Sequence, residues 1–237
     1  MTARRMVGWS LVMSAVVSAC TSASAPKQNV ATDRAAALAA VLKPSDLPSG
    51  WTAKPHSRPA GGTGSDDALA KCLGVPLSDL NTQGPASVNS PDFTDAANRS
   101  IANSVTYGAT SPLTRRRFNE LAGPRASGCL ASALGAYLQA QLTHPSNPSA
   151  TGPPGVSLGN PSAAKIPFAV AGDQTIAYEV AFPIVTAGAS IKVLLDLVIA
   201  IKGRASVEMN FTTVGAPFAP DQEQKYFKAV VGRLAST

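Results

Sequence analysis

Ile191-Lys192-Val193-Leu194-Leu195-Asp196-Leu197-Val198-Ile199-Ala200-Ile201 is an unbroken alternation in which every odd position is a branched aliphatic residue. A period of two sends successive side chains to opposite faces, so the stretch predicts a strand with one buried face. Upstream, Ile176, Tyr178, Val180 and Phe182 repeat the pattern, and Val207, Met209 and Phe211 continue it beyond Lys202-Gly203-Arg204. Thr175 to Thr213 therefore reads as a three-strand antiparallel meander.

Parity then predicts the register. For the three apolar sets to share a face, the first hairpin needs an even loop, and Gly188-Ala189 supplies a type II′ turn that pairs Val180 with Leu197. The second needs an odd loop, supplied by Lys202-Gly203-Arg204, which pairs Leu197 with Met209 and Leu195 with Phe211. On the opposite face, Glu179, Val198 and Glu208 form one cross-strand row and Ala181, Asp196 and Asn210 the next. Glu179, Asp196, Glu208 and Asn210 are thus candidate ligand-binding residues, for a cation, a basic ligand or a carboxyl of altered acidity, with Tyr178 as a candidate cleft residue. The competing reading is an ordinary sheet face covered by a helix, since Leu194, Val198 and Ala200 make it half apolar.

The start of the chain carries an address. Arg4-Arg5 precedes a short apolar run, Met6 to Val17, and Val17-Ser18-Ala19-Cys20 ends it with small residues before a cysteine. This pattern resembles the bacterial lipobox, in which the thiol takes a diacylglyceryl group and becomes the first residue after cleavage. The run is short of the roughly 20 apolar residues of a membrane span, although an ordinary signal peptide or anchor is the alternative. The expected organisation is a lipoprotein signal peptide over residues 1–19, a Ser/Ala/Pro-rich tether over 20–32 and a single α+β domain over 33–237. Of the 20 basic residues, Arg4 and Arg5 leave with the leader, so 18 against 14 acidic residues give a net +4. No aromatic-interleaved basic patch accompanies that excess, and no nucleic-acid partner is expected.

Export changes the reading of the other two cysteines. An even pair outside the cytoplasm, Cys72 and Cys129, reads most simply as a disulfide, and a free or redox-active pair is the alternative, without a Cys-x-x-Cys to favour it. Helices are expected over 34–42 capped by Asp33, from Asp66 through Cys72 and Leu73 to Gly74, from Ser111-Pro112 through Phe118 and Leu121, over 126–142, and over 220–234. Strands are expected over 88–93, 101–107 and 166–170. Arg115, Arg116 and Arg117 crowd the start of the third helix, where cations oppose the helix dipole unless an anion or carboxylate is near. They are candidate anion ligands, against the reading of a solvated basic face.

Catalytic signatures are absent from the sequence: it has no Gly-x-Ser-x-Gly elbow, no phosphate loop and no metal-type His/Cys spacing, and its two histidines, His56 and His144, lie in Pro-rich stretches. No catalytic residue, metal or cofactor is expected.

Three further features carry a resemblance: the opening Val41-Leu42-Lys43-Pro44-Ser45-Asp46-Leu47-Pro48-Ser49-Gly50-Trp51, the helix-borne Cys72 and Cys129, and Gly172-Asp173-Gln174 leading into the ladder and last helix. With the lipobox at Cys20, the chain resembles actinobacterial envelope lipoproteins related to the extracellular sensor domain of the mycobacterial receptor kinase PknH. The resemblance spans about residues 33–234. It implies an antiparallel sheet flanked by helices, of the PsbP-like kind, with a cleft for an unidentified ligand. The chain departs from that domain in having one candidate disulfide in place of two and no kinase segment, so signalling is not expected. The resulting expectation is a non-enzymatic lipoprotein, anchored through Cys20 on the extracytoplasmic face of the cell membrane. It would bind a small molecule, a lipid or an envelope protein partner in a sheet-helix cleft. A scaffold without a small ligand and, less favoured, an envelope hydrolase are the alternatives.

Overall fold

The long strand read from the sequence, β8 (Ala189–Lys202), lies between β7 (Gln174–Thr186) and β9 (Ala205–Val214) and is antiparallel to both. The structure is a computed structural model that describes residues 28–56, 64–80, 84–143, 155–186 and 189–234. Cys20, the leader, the tether up to residue 27, His144 and Gly188 lie outside the described residues.

Around the meander the sheet extends to nine antiparallel strands. β1 (Thr52–Lys54), β3 (Asp92–Thr94) and β4 (Ser100–Tyr107) continue it beyond β9, with β2 (Ser87–Asn89) also on β4. β5 (Ser157–Leu158) and β6 (Ser162–Ile166) pair with β7 at the other edge. Helices α1 (Val30–Ala40) and α6 (Pro220–Gly232) cover one face. α2 (Gly64–Leu73), α3 (Leu77–Leu80), α4 (Ser111–Ala122) and α5 (Ala126–Thr143) lie over the other. The fold is α+β, as expected.

The register departs from expectation in two ways. In the first hairpin Thr186 pairs with Ala189, so the two intervening residues are 187 and 188, and Val180 faces Leu195 instead of Leu197. A slip of two residues preserves the faces. In the second hairpin Lys202 pairs with Ala205, so the turn is Gly203-Arg204 alone, and Leu197 faces Asn210 instead of Met209. Gly203, at φ +58°, fills the first central position, where a two-residue turn of the II′ kind needs glycine. A slip of one residue moves a whole strand's side chains to the other face. Val207, Met209 and Phe211 thereby join Ala177, Val198 and Ala200 under α1 and α6, while Glu208, Asn210 and Thr212 lie beside Leu195, Leu197 and Ile199.

Both faces are therefore covered. Under α6, Phe211 and Val207 meet Phe227 and Val230, all essentially inaccessible; on the other side Tyr178, Leu197 and Ile199 meet Phe118 and Leu130. Smaller departures have local causes. Asn29 caps α1, its Oδ1 accepting the Thr32 N–H at 3.2 Å, and Asp33 lies inside the helix, where its carboxylate takes the Arg204 guanidinium at 2.8 and 3.0 Å. The strand expected over 166–170 is not formed: β6 lies earlier and ends at Ile166, because Pro167 has no N–H to continue the ladder.

The resembling motifs have structural roles. Leu42 N–H donates to Asn103 Oδ1 at 2.8 Å, and Arg233 donates to the Ala40 and Val41 carbonyls and to Asp46, seaming the end of α1 to the end of α6. A Cβ at Gly172 would stand 2.5 Å from the Ile201 carbonyl oxygen, so only glycine lets β7 enter there, and Asp173 accepts the Gly203 N–H at 2.8 Å.

Cys72 of α2 and Cys129 of α5 form a disulfide with a Cα–Cα distance of 5.5 Å, closing a loop across 57 positions. On the chain-entropy model such a closure contributes about 4 kcal/mol. Replacing both cysteines by serine should lower the unfolding free energy by about that much, read as a lower denaturant midpoint, and reductant should do the same to the wild type but nothing to the variant. An unchanged midpoint would contradict the assignment of a stabilising bridge.

Candidate functional site

The outward positions of β9 alternate Glu208, Asn210, Thr212, and on β8 beside them stand Ile199, Leu197 and Leu195. The helices above cover Leu197 and Ile199 but do not close fully over the row. A cavity of about 370 Å³ remains between them and the helical layer, roofed by Leu121 of α4 and by Leu130, Ala133 and Leu134 of α5. Ser65, Asp66 and Leu69 of α2, with Leu80 of α3, complete the wall. The walls are unequal. β8 and α5 offer hydrocarbon, whereas β9 and the first turn of α2 offer two carboxyls, an amide and two hydroxyls. Removal from water pushes the Glu208 carboxyl up from the ordinary carboxylate range, the charge of Asp66 pushes the same way, and a hydrogen bond from Asn210 opposes both. An apolar space with a few convergent polar groups and a carboxyl of raised pKa is what a small-molecule site looks like in physical terms. A wider groove of about 500 Å³, where β6 parts from the start of β7, is shallower and more open to solvent, lined by Asn119, Lys165, Phe168, Asp173 and Gln174.

The expected patch of three carboxylates on one face does not form. Glu179 and Asp196 are direct cross-strand partners on the face under α6, and the one-residue shift of β9 sends Glu208 and Asn210 to the cavity on the far side of the sheet. Their third carboxyl comes from Glu223 in the first turn of α6, a residue that the sequence reading did not select. A signal existed: Glu223 shares the helical face of Tyr226, Phe227 and Val230, and a carboxylate at a position of an apolar stripe needs a partner. The partner is Asp196. Both are about 95% buried, at 5% exposure for Asp196 and 4% for Glu223. Burial, the hydrogen bond with Asp196 and the charges of Asp196 and Glu179 push Glu223 up to about 9, so at neutral pH it holds the proton and donates it to Asp196. Asp196 Oδ1, Glu223 Oε1 and the nearby hydroxyl of Thr213 are buried without a protein partner. Among the described residues no set of three or more His, Cys, Asp or Glu side chains is placed to hold a metal ion.

Tyr178, a candidate cleft residue, is sealed in the core, its hydroxyl donating to the Leu121 carbonyl at 2.6 Å, and burial pushes its pKa up. Two members of the arginine run have protein partners: Arg116 pairs with Asp79 of α3 at 2.6 Å, and Arg117 donates to the Ser78 carbonyl at 2.9 Å. Burial pushes the Arg117 pKa down and Asp79 opposes that shift. Arg115 is exposed beside a shallow depression along α4. His56 sits at the β1 edge, 2.7 Å from Asp92, away from the cavity.

The Asp196–Glu223 pair has a testable signature. The folded chain keeps a proton on Glu223 up to about pH 9, whereas the unfolded chain releases it near 4.5. The contribution is therefore complete below pH 4.5 and is lost as pH rises toward 9. Glu223→Gln keeps a donor to Asp196 and carries no proton to lose, so its unfolding free energy should stay flat from pH 6 to 9 while that of the wild type falls. Parallel curves would refute the shared proton.

Compared with known proteins, the chain matches no family model and no curated sequence.

Proposed function

We propose that this protein is a lipid-anchored component of the bacterial cell envelope that binds a small, largely apolar molecule in the cavity between β8–β9 and the α2–α5 layer, without transforming it. The observation that carries the proposal is the cavity itself: about 370 Å³ of space inside a domain whose opposite face is filled with interlocked aromatic rings. Close packing is the norm in protein interiors, so a void of this size next to two carboxyls is a feature to explain. Size narrows the ligand. At about 370 Å³ the cavity falls at the small end of the roughly 300–1,000 Å³ range of small-molecule sites.

The anchor is supported by the Arg4-Arg5 leader and the Val17-Ser18-Ala19-Cys20 pattern. Among the described residues no helix is long and apolar enough to cross a membrane. The resemblance to sensor-like envelope lipoproteins supports a cleft-binding role and an extracytoplasmic position. A second reading, an envelope scaffold without a small ligand, draws on the exposed Val185, Ile191 and Val214 near the end of the meander remote from Gly203, which a partner protein could cover.

Two measurements test these parts separately. Cys20→Ala should abolish acyl labelling and the mass increment of a lipidated amino terminus; persistent acylation would sink the lipobox reading. Native mass spectrometry of protein purified from its own envelope should show a retained mass of a few hundred daltons or less. Protein that is uniformly ligand-free and co-purifies with a fixed partner would favour the scaffold.

A further inference from the structure

One contact fixes where the tether joins the fold. Gln28 donates to the Tyr107 carbonyl at 2.9 Å, and Tyr107 pairs with Ala205 beside the Gly203-Arg204 turn. Cys20 is eight residue steps before Gln28, a span of at most about 28 Å at roughly 3.5 Å per step. β8 alone, with 14 residues at roughly 3.3 Å each, is about 46 Å long. A lipid on Cys20 therefore cannot let the domain stand on the opposite end of the meander, where Val185, Ile191 and Val214 are exposed. The surface within reach of the bilayer is the one beside the start of α1.

That surface combines hydrocarbon with cations. α1 turns Asp33, Ala37 and Ala40 inward, and its outer side carries Ala31, Arg34, Ala35, Leu38 and Ala39, with Leu38 62% exposed. Arg34, the one charged group of that stripe, donates to the Ser87 carbonyl at 3.1 Å through a single nitrogen. α6 belongs to the same layer, tied to the end of α1 by Arg233. Its outer side carries Asp221, Lys225 and Lys228. Lys202, the last residue of β8, donates to the Leu234 carbonyl at 2.9 Å, so the lysine-bearing half of α6 lies toward the end that receives the tether and Asp221 toward the other. Apolar side chains flanked by cations suit the interface of an anionic bilayer, where hydrocarbon meets the acyl boundary and cations meet phosphates.

Resting on the reading that Cys20 is acylated, we infer that the outer surface of the α1/α6 layer lies on an anionic phospholipid bilayer. Leu38 enters the headgroup boundary, and Arg34, Lys225 and Lys228 meet lipid phosphates. The α2–α5 layer and its cavity, on the other face of the sheet, are turned away from the membrane.

The test uses the acylated chain purified from its own membrane and reconstituted in phosphatidylcholine vesicles with or without phosphatidylglycerol. Flotation reports attachment, and amine-reactive footprinting read by mass spectrometry reports which lysines are covered. With phosphatidylglycerol, Lys225 and Lys228 should lose reactivity about fivefold or more, whereas Lys71 of α2 and Lys165 of β6 should keep theirs. A thiol-reactive fluorophore on Leu38→Cys should be quenched by brominated lipid. Adding Lys225→Gln and Lys228→Gln should weaken that quenching without changing flotation, and an unchanged denaturant midpoint shows that the variant is folded. Protection of Lys71 and Lys165 instead, equal protection with and without phosphatidylglycerol, or flotation with no lysine protected would overturn the inference and leave the anchor standing. A chain that carries no acyl group and does not float would overturn both.

Discussion

The turn at Gly203-Arg204 contains two residues, and on that count the arrangement of the molecule depends. With two residues, β9 delivers Val207, Met209 and Phe211 to the α1/α6 layer and Glu208, Asn210 and Thr212 to the other. With three, the sets would exchange, burying Glu208 and Asn210 among aromatic rings. The turn is held from several directions. The Arg204 guanidinium clasps Asp33 of α1, and the hydrogen bond holds that carboxyl below the usual range. Arg204 also donates to the Gly108 carbonyl at 2.9 Å and accepts from Gly108 N–H and Thr114 through its own carbonyl. Asp173 secures the Gly203 N–H. A largely buried ion pair of this kind discriminates between registers more than it adds net stability, because an unpartnered Arg204 or Asp33 is costly in any alternative arrangement.

The meander, its antiparallel sense, both covering helices of the second half and the cysteine pair were legible in the sequence because each rests on local period or turn chemistry. The face assignment of β9 was not. Parity arguments work where a strand has one apolar side, and β8 has two: Leu195, Leu197 and Ile199 on one side, Leu194, Val198 and Ala200 on the other. The apolar set of β9 could match either side of β8, so the alternation constrained each strand but not their relation. The half-apolar second face was itself the clue that helices would cover it. α1 illustrates the same limit on a smaller scale. Asp33 is a good capping residue in isolation, but a partner 171 positions away gives it a different use, and Asn29 takes the cap.

The two polar sites show how packing density decides what a buried acid does. On the α6 face the space around Asp196 and Glu223 is filled by Phe211, Tyr226 and Phe227, so the carboxyls can satisfy only one another and share a proton. Glu208, on the other face, is half-buried and borders unfilled space. Its local partner is the Asn210 side chain two residues along the same strand. Neither difference can be read from residue type, because an acid on a strand or on a helix reads as a solvent-facing residue until the layers are placed.

Why the second face stays unfilled follows from what α2 is fastened to. Its disulfide goes to α5, the Arg125 guanidinium ahead of α5 accepts no freedom either, donating to the carbonyls of Cys72 and Leu73 at the α2 end, and α2 packs chiefly on α5 and α3 instead of on the sheet. The side chains that α5 presents nearby are small: a Cβ at Gly135 would stand 2.5 Å from Pro161, which lets α5 approach the β6 edge closely while Ala133 leaves the centre shallow. Covalent and hydrogen-bonded restraints thus fasten the last turn of α2 to α5, and α2 is held by that layer more than by β9. The same hydrophobic force that closes the α6 layer is resisted here by a cross-link, so the space beside Glu208 persists as part of the native structure.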